Sequence, residues 1–253
     1  MSSLTVDLSL CRGRFSLDVA FSIDATAALT GPSGAGKTTL LRVLAGLDQC
    51  GDGYVSVGED VWIGAGRPTP AELRSVGCLA QEGGLFPHMT AAGNVAYPLI
   101  ADRVGRRRRR AVAVALLAEI GLADVADVPV TRLSGGQRRR VALARALAGE
   151  RAVYLLDEPF AGLDARTADR VEAFIGERLR RAASPALIAG HDLGRLSTLA
   201  ERTLRLTGGR LVESVPDEAW AISGSADRAR VREPAATPQN TVRRLADYRA
   251  GSQ

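Results

Sequence analysis

Residues 31–38 read GPSGAGKT, and they lie between an apolar run, ATAALT (25–30), and a segment with a helical repeat in which Leu40, Leu41, Val43, Leu44 and Leu47 share a face. A strand, a glycine-rich turn and a helix in that order leave few folds open. The strand must join a sheet whose chain returns through a helix, which is the unit of parallel α/β architectures. Gly31, Gly34 and Gly36 permit backbone conformations closed to other residues, so N–H groups along the turn can converge on an anion at a helix N-terminus. The candidate phosphate cradle is therefore Gly31, Pro32, Ser33, Gly34, Ala35, Gly36, Lys37, Thr38 and Thr39. Lys37 is the single lysine among 33 basic residues. A compact ammonium fits between phosphate oxygens where a wider, planar guanidinium does not, which explains why an arginine-rich chain keeps lysine at this position. Thr38 offers a hydroxyl to a Mg²⁺ ion that would accompany the phosphates.

Three further apolar runs lack polar alternation: VGCLA (76–80), AVYLL (152–156) and ALIAG (186–190). With ATAALT they are expected as strands buried on both faces of a parallel sheet. Directly after them come Gln81, Asp157 with Glu158, and His191. Ligands of open α/β sheets bind outside the carboxyl ends of the strands, so these groups are expected to converge on the glycine loop. The alternating residues 4–23 read as a strand pair exposed on one face. Residues 85–150 carry helical signals and read as an inserted helical subdomain. A helix is expected over 192–202 and a hairpin in TLRLTGGRLVES. Residues 216–253, poor in apolar periodicity, read as a weakly ordered tail.

Within AVYLLDEP (152–159), Asp157 is placed to hold Mg²⁺ and Glu158 to act as a general base toward an attacking water. In RLSGGQRRRVALARALAGE (132–150), Ser134, Gly135 and Gly136 open a strong helix and form a second nest of N–H groups. A serine cap accounts for the helix start but not for the glycine pair, because glycine in a first turn lowers helix stability. One nucleotide does not need two such nests from one chain.

These segments together resemble the ATP-binding-cassette (ABC) ATPase family, the nucleotide-binding subunits of transporters, over about residues 4–215. The resemblance rests on the Walker A loop GPSGAGKTT, a Q-loop at Gln81, the signature LSGGQ (133–137), the Walker B segment AVYLLDE, a D-loop AGLD (161–164) and a switch histidine, His191. It implies a P-loop α/β core with an N-terminal antiparallel β-subdomain and an inserted α-helical subdomain. It also implies ATP and Mg²⁺ as ligands, and a head-to-tail dimer in which Ser134, Gly135, Gly136 and Gln137 of one copy close over the γ-phosphate held by the other. Glu158 is then the base, His191 touches the γ-phosphate, Gln81 senses Mg²⁺ and the water, and Asp164 links the two sites. Phe15 matches the aromatic residue that stacks on adenine in the family, and a core phenylalanine is the competing reading.

The family includes DNA-repair and translation ATPases, but a single cassette and an insertion of about 65 residues resemble neither, so no nucleic-acid partner is expected despite a net charge of +5. The segment 82–99 resembles bacterial importer ATPases. RGRFSLDVAFSIDATAALTGPSGAGKTTLLRVLAGL and GEDVW look most like molybdate importers, with sulfate, polyamine and thiamine importers as rivals. The partners so implied are a second ATPase subunit, a separate permease and a solute-binding protein, with the chain at the cytoplasmic face of the membrane. No signal segment is read at the N-terminus. The apolar run 111–118 is too short to span a bilayer, so another chain must cross it. Cys11, Cys50 and Cys78 have no CxxC pairing, and neither a disulfide framework nor a zinc site is expected. Trp62 and Trp220 read as packing. The arginines at 106–110 read as a solvated helix start, with attraction to anionic lipid as the alternative. The size argument for Lys37 predicts that Lys37→Arg weakens nucleotide binding although the charge is kept. A titration indistinguishable from the unmodified protein would refute it.

Overall fold

The computed structural model describes residues 2–13, 15–49, 52–81 and 84–213. The expected tail, Trp220 and Cys50 lie outside these residues. Ten described strands form one sheet in the order β5-β4-β1-β2-β10-β9-β3-β8-β7-β6. At one end β1 (Leu4–Arg12), β2 (Phe15–Ile23), β4 (Asp52–Val57) and β5 (Asp60–Ile63) pair antiparallel, with Leu4 opposite Ile23 and Leu4 opposite Val57. At the other end β3 (Thr26–Thr30), β8 (Ala186–Ala189), β7 (Val153–Asp157) and β6 (Val76–Leu79) are parallel. The hairpin of β9 (Arg202–Thr207) and β10 (Arg210–Glu213) joins the halves: β9 runs parallel to β3, and β10 meets β2 at Arg210 and Asp18.

The parallel strands explain the unbroken apolar runs. Ala27, Leu29, Val153, Leu155, Leu187 and Ala189 enter a core that they share with β1, β2, β4, β5 and α1 (Lys37–Leu44). Their neighbours Ala28, Tyr154, Leu156, Ala186 and Ile188 point the other way into a second core. Side chains alternate along a strand, and with helices on one side and the β-rich layer on the other, β8 and β7 are buried on both faces. Strand β6, last in the sheet order, keeps Val76 and Cys78 only partly buried, short of the full burial expected for VGCLA. The second core is closed by α2 (Ala91–Ala96), α3 (Arg106–Glu119), α4 (Gly135–Ala146), α5 (Ala165–Ala182) and α6 (Leu193–Leu199). Between β6 and β7 the described elements are helical, including short 3₁₀ turns at 97–100, 123–125 and 130–132. On α5, Ala168, Val171, Phe174, Ile175 and Leu179 form the buried stripe, at the spacing of an amphipathic helix.

Two details differ from the sequence expectation. Helix α1 stops at Leu44, so Leu47 does not share its face and is half exposed. Gly46, in the left-handed region at φ 76°, turns the chain away one residue before it. The helix after β8 covers 193–199 rather than 192–202.

Helix α1 is anchored at both ends. Leu40 and Leu44 are fully buried in the β-side core, and the buried Arg74 donates through Nη1 to the carbonyls of Val43 (2.9 Å) and Leu44 (2.8 Å). The Val43 carbonyl also accepts from Gly46 N at 3.0 Å, and a cation at this end of the helix faces the negative end of its dipole. Leu40→Ala would leave a cavity directly beneath the glycine loop. We expect a loss of about 2–5 kcal/mol in urea-unfolding free energy, and an unchanged midpoint would contradict this packing.

Candidate functional site

The parallel pairing places Leu29 beside Ala189, Ala189 beside Asp157, and Leu156 beside Leu79. The residues that follow β3, β8, β7 and β6 therefore leave the sheet along one rim, as the sequence reading requires. At that rim Gly31 and Gly36 hold φ of 144° and 106°. A Cβ on Gly31 would collide with the Leu206 carbonyl oxygen, and one on Gly36 would lie 2.6 Å from Phe15 Cζ. The phosphate loop is thus wedged between β9 and the start of β2. Phe15 is partly buried, packed on the β-side core with its ring against Gly36.

Lys37 is 7% exposed, and its Nζ donates to the carbonyls of Gly31 (2.7 Å) and Pro32 (3.1 Å). Among the described residues no carboxylate forms an ion pair with it. Two strands over, at the end of β7, Asp157 is 2% exposed, and its carboxylate accepts from the Thr38 hydroxyl at 2.8 Å without a cationic partner among the described residues. A buried ammonium without an anion and a buried carboxylate without a cation are both expensive alone. Side by side they fit a phosphate that carries a divalent cation. The oxygens of Thr38 and Asp157 suit Mg²⁺, which takes few protein ligands and draws the rest from phosphate and water. No group of three or more His, Cys, Asp or Glu residues able to hold a metal occurs among the described residues. The donor set fits a cation that arrives with its nucleotide.

Glu158 follows in the left-handed region at φ 52°, a strained conformation for a residue with a side chain. The turn is tied by Glu158 N donating to Ala189 O at 2.9 Å and Ala161 N donating to Glu158 O at 3.2 Å. It leaves the Glu158 Oε1 3.2 Å from His191 Nε2. Lys37, Thr38, Asp157, Glu158 and His191 are thereby brought together. Gln81 is exposed beyond β6 and lines a cavity of about 550 Å³ with Gly135, Gly136, Arg139, Ala161 and Gly162. No hydrogen bond joins it to Thr38 or Asp157 among the described residues.

Ser134 caps α4 reciprocally: its Oγ accepts from Gln137 N at 3.2 Å, and Gln137 Oε1 accepts from Ser134 N at 2.9 Å. Ser134 and Gly135 are exposed, and a Cβ on Gly135 or Gly136 would meet nothing within 4 Å. The fold itself supplies no steric reason for these two glycines. Asp164 caps α5, accepting from Thr167 N (2.9 Å) and Thr167 Oγ1 (2.7 Å), and these bonds hold its carboxyl below the usual carboxylate range. Burial pushes the Cys78 thiol up to about 11, so it supplies no thiolate to the site. The sequence reading missed Arg139, whose Nη2 donates to the carbonyls of Asp157 (3.2 Å) and Glu158. Nothing in the run Arg138–Arg140 marks the middle residue.

The family model described as ABC transporter matches residues 16–161. The Fe(3+) ions import ATP-binding protein FbpC 3 of Rhodococcus jostii is 41% identical over 199 residues, covering 77% of this chain and 56% of that protein. The Molybdenum import ATP-binding protein ModC of Mycobacterium tuberculosis is 41% identical over 208 residues, covering 79% of this chain and 56% of the relative. The chain thus spans about half the length of these relatives. A solved dimeric ATP-binding cassette in a post-hydrolysis state, bound to ADP and Pi, superposes with a TM-score of 0.70 at 26% identity, covering 84% of this chain and 97% of that one. The fold is that of an ABC ATPase cassette. Because a methyl group on Gly36 would meet the Phe15 ring and hold φ in a disfavoured region, Gly36→Ala is expected to weaken binding of a non-hydrolysable ATP analogue roughly tenfold or more. Calorimetric titration would measure it, and unaltered affinity would show that the loop does not need this geometry.

Proposed function

The chain belongs to the ABC transporter family, and from that membership we propose that it is the ATP-binding and ATP-hydrolysing subunit of a bacterial importer. It would work at the cytoplasmic face of the membrane with a separate permease and a solute-binding protein. No described helix is long and apolar enough to cross a membrane. The observation that carries the reading is the pair of buried opposite charges, Lys37 and Asp157, the carboxylate accepting from Thr38, the residue next to Lys37.

In this reading the glycine loop and Lys37 hold the β- and γ-phosphates. Mg²⁺ held through Thr38 and Asp157 would neutralise charge on the phosphate oxygens. Glu158 takes a proton from water as the water oxygen bonds to the γ-phosphorus and the bond to the bridging oxygen breaks. His191, 3.2 Å from Glu158, orients that carboxylate and reaches the γ-phosphate. Gln81, in the cavity it shares with the signature glycines, senses metal and water from that side. A second copy supplies Ser134, Gly135, Gly136 and Gln137 to the exposed side of the phosphates. The open space around both glycines supports this assignment, since alanine would otherwise make the better helix. Asp164, exposed at the start of α5, is free to link the two sites, and Phe15 is the aromatic residue nearest the loop for an adenine.

We assign molybdate or a related oxyanion as the cargo on the sequence resemblance. The iron relatives, equally identical at 41%, make iron(III) the second reading. The general-base role predicts that Glu158→Gln keeps ATP binding, slows hydrolysis at least ~10²-fold and accumulates an ATP-dependent dimer on gel filtration. Turnover equal to that of the unmodified protein would remove Glu158 from the mechanism.

A further inference from the structure

Arg139 lies on α4, five residues beyond Ser134, yet its guanidinium leaves that helix and reaches the turn after β7. Nη2 donates to the main-chain oxygens of both Asp157 and Glu158. Its Nε is buried with no hydrogen-bond partner among the described residues. An arginine that leaves one donor unsatisfied in the interior is there for what its other nitrogen holds, because the orphaned group alone would favour a smaller side chain. What it holds is the one strained turn at the rim, where Glu158 sits at φ 52° and a proline follows. Two backbone bonds, Glu158 N to Ala189 O and Ala161 N to Glu158 O, also restrain the turn, and Arg139 adds the tie from α4 that opposes relaxation toward the extended conformations preferred before proline. Such a relaxation would swing the Glu158 carboxylate away from His191.

We propose that Arg139 is a positioning residue for hydrolysis. By clamping the carbonyls of Asp157 and Glu158 it fixes the direction of the base, and because it rides on α4 it makes that direction depend on where the signature helix stands. This rests on the reading of Glu158 as the base. The charge of the guanidinium does no chemistry here; its role is a geometric link between the helix that presents Ser134 and the turn that presents Glu158. A displacement of α4 is felt at both carbonyls at once. The nucleotide-holding groups Lys37 and Thr38 lie on α1 and are not touched by Arg139 through any described hydrogen bond.

The test is a set of four proteins: Arg139→Ala, Arg139→Lys, Glu158→Gln and the double variant Arg139→Ala/Glu158→Gln. Thermal melting confirms that each is folded, and the lysine variant, which keeps a donor, covers the case in which the alanine variant is not. Arg139→Ala should lower kcat ~10- to 100-fold, the range expected when a catalytic group is misplaced by about an ångström. Affinity for a non-hydrolysable ATP analogue should stay within about twofold. Arg139→Lys should recover part of the loss. In single-turnover assays, removing Arg139 should cost nothing further once Glu158 is Gln, since residues that act through one another are not additive. An unchanged kcat in Arg139→Ala, or a full additional loss in the double variant, would overturn the proposal while leaving Glu158 as the base. Normal turnover in Glu158→Gln would overturn both.

Discussion

Two buried charges of opposite sign, each without a counter-charge among the described residues, are the constraint around which this molecule is arranged. The Lys37 ammonium rests on carbonyl oxygens of its own loop, and the Asp157 carboxylate accepts one neutral hydroxyl. Neither arrangement repays the loss of water around a full charge. A ligand carrying a negative and a positive group would compensate both, which is the basis of the proposed nucleotide and Mg²⁺ site. The remainder of the structure holds the two residues still. Leu40 and Leu44 bury the helix that carries Lys37, Arg74 supports its far end, and β7 places Asp157 beside the fully buried strand β8.

The same topology gives the site its breadth. Parallel strands end on the same side of a sheet, so segments far apart in sequence bring Thr38 onto Asp157 and His191 onto Glu158 at one rim. The helices between β6 and β7 share a core with the outer face of that sheet rather than standing apart from it. Ser134 and Gly135 lie exposed at the start of α4, while Arg139, a few residues along the same helix, grips the turn that carries Glu158. An event at the exposed end of α4 therefore has a direct mechanical route to Glu158.

Much of this was legible in the sequence for a simple reason: strands buried on both faces must be apolar throughout, and the polar residue that ends each one stands out. The glycine loop, Asp157, Glu158 and His191 could be found that way. The hairpin of β4 and β5 is hidden in the sequence, because Gly53 and Gly58 break its alternation and Asp52 and Asp60 start its strands. Helix α5 is masked by its strongly charged segment, although Ala168, Val171, Phe174, Ile175 and Leu179 keep a clear helical period. Arg74 and Arg139 were invisible for a different reason. In a chain with arginine at nearly every basic position, only three-dimensional contact distinguishes a guanidinium that holds a helix end or a strained turn from one that faces water.

If Lys37 and Asp157 receive a nucleotide phosphate and Mg²⁺ as one ligand in two parts, the two components must stabilise the fold cooperatively. The most direct measurement is thermal unfolding of the unmodified protein with Mg²⁺ alone, with a non-hydrolysable ATP analogue alone, and with both, because a ligand stabilises the folded state in proportion to its binding. Tm should rise with both together by more than the sum of the separate rises, and almost not at all with Mg²⁺ alone. Equal stabilisation by Mg²⁺ with or without the analogue, or a response to the analogue that ignores the metal, would contradict it.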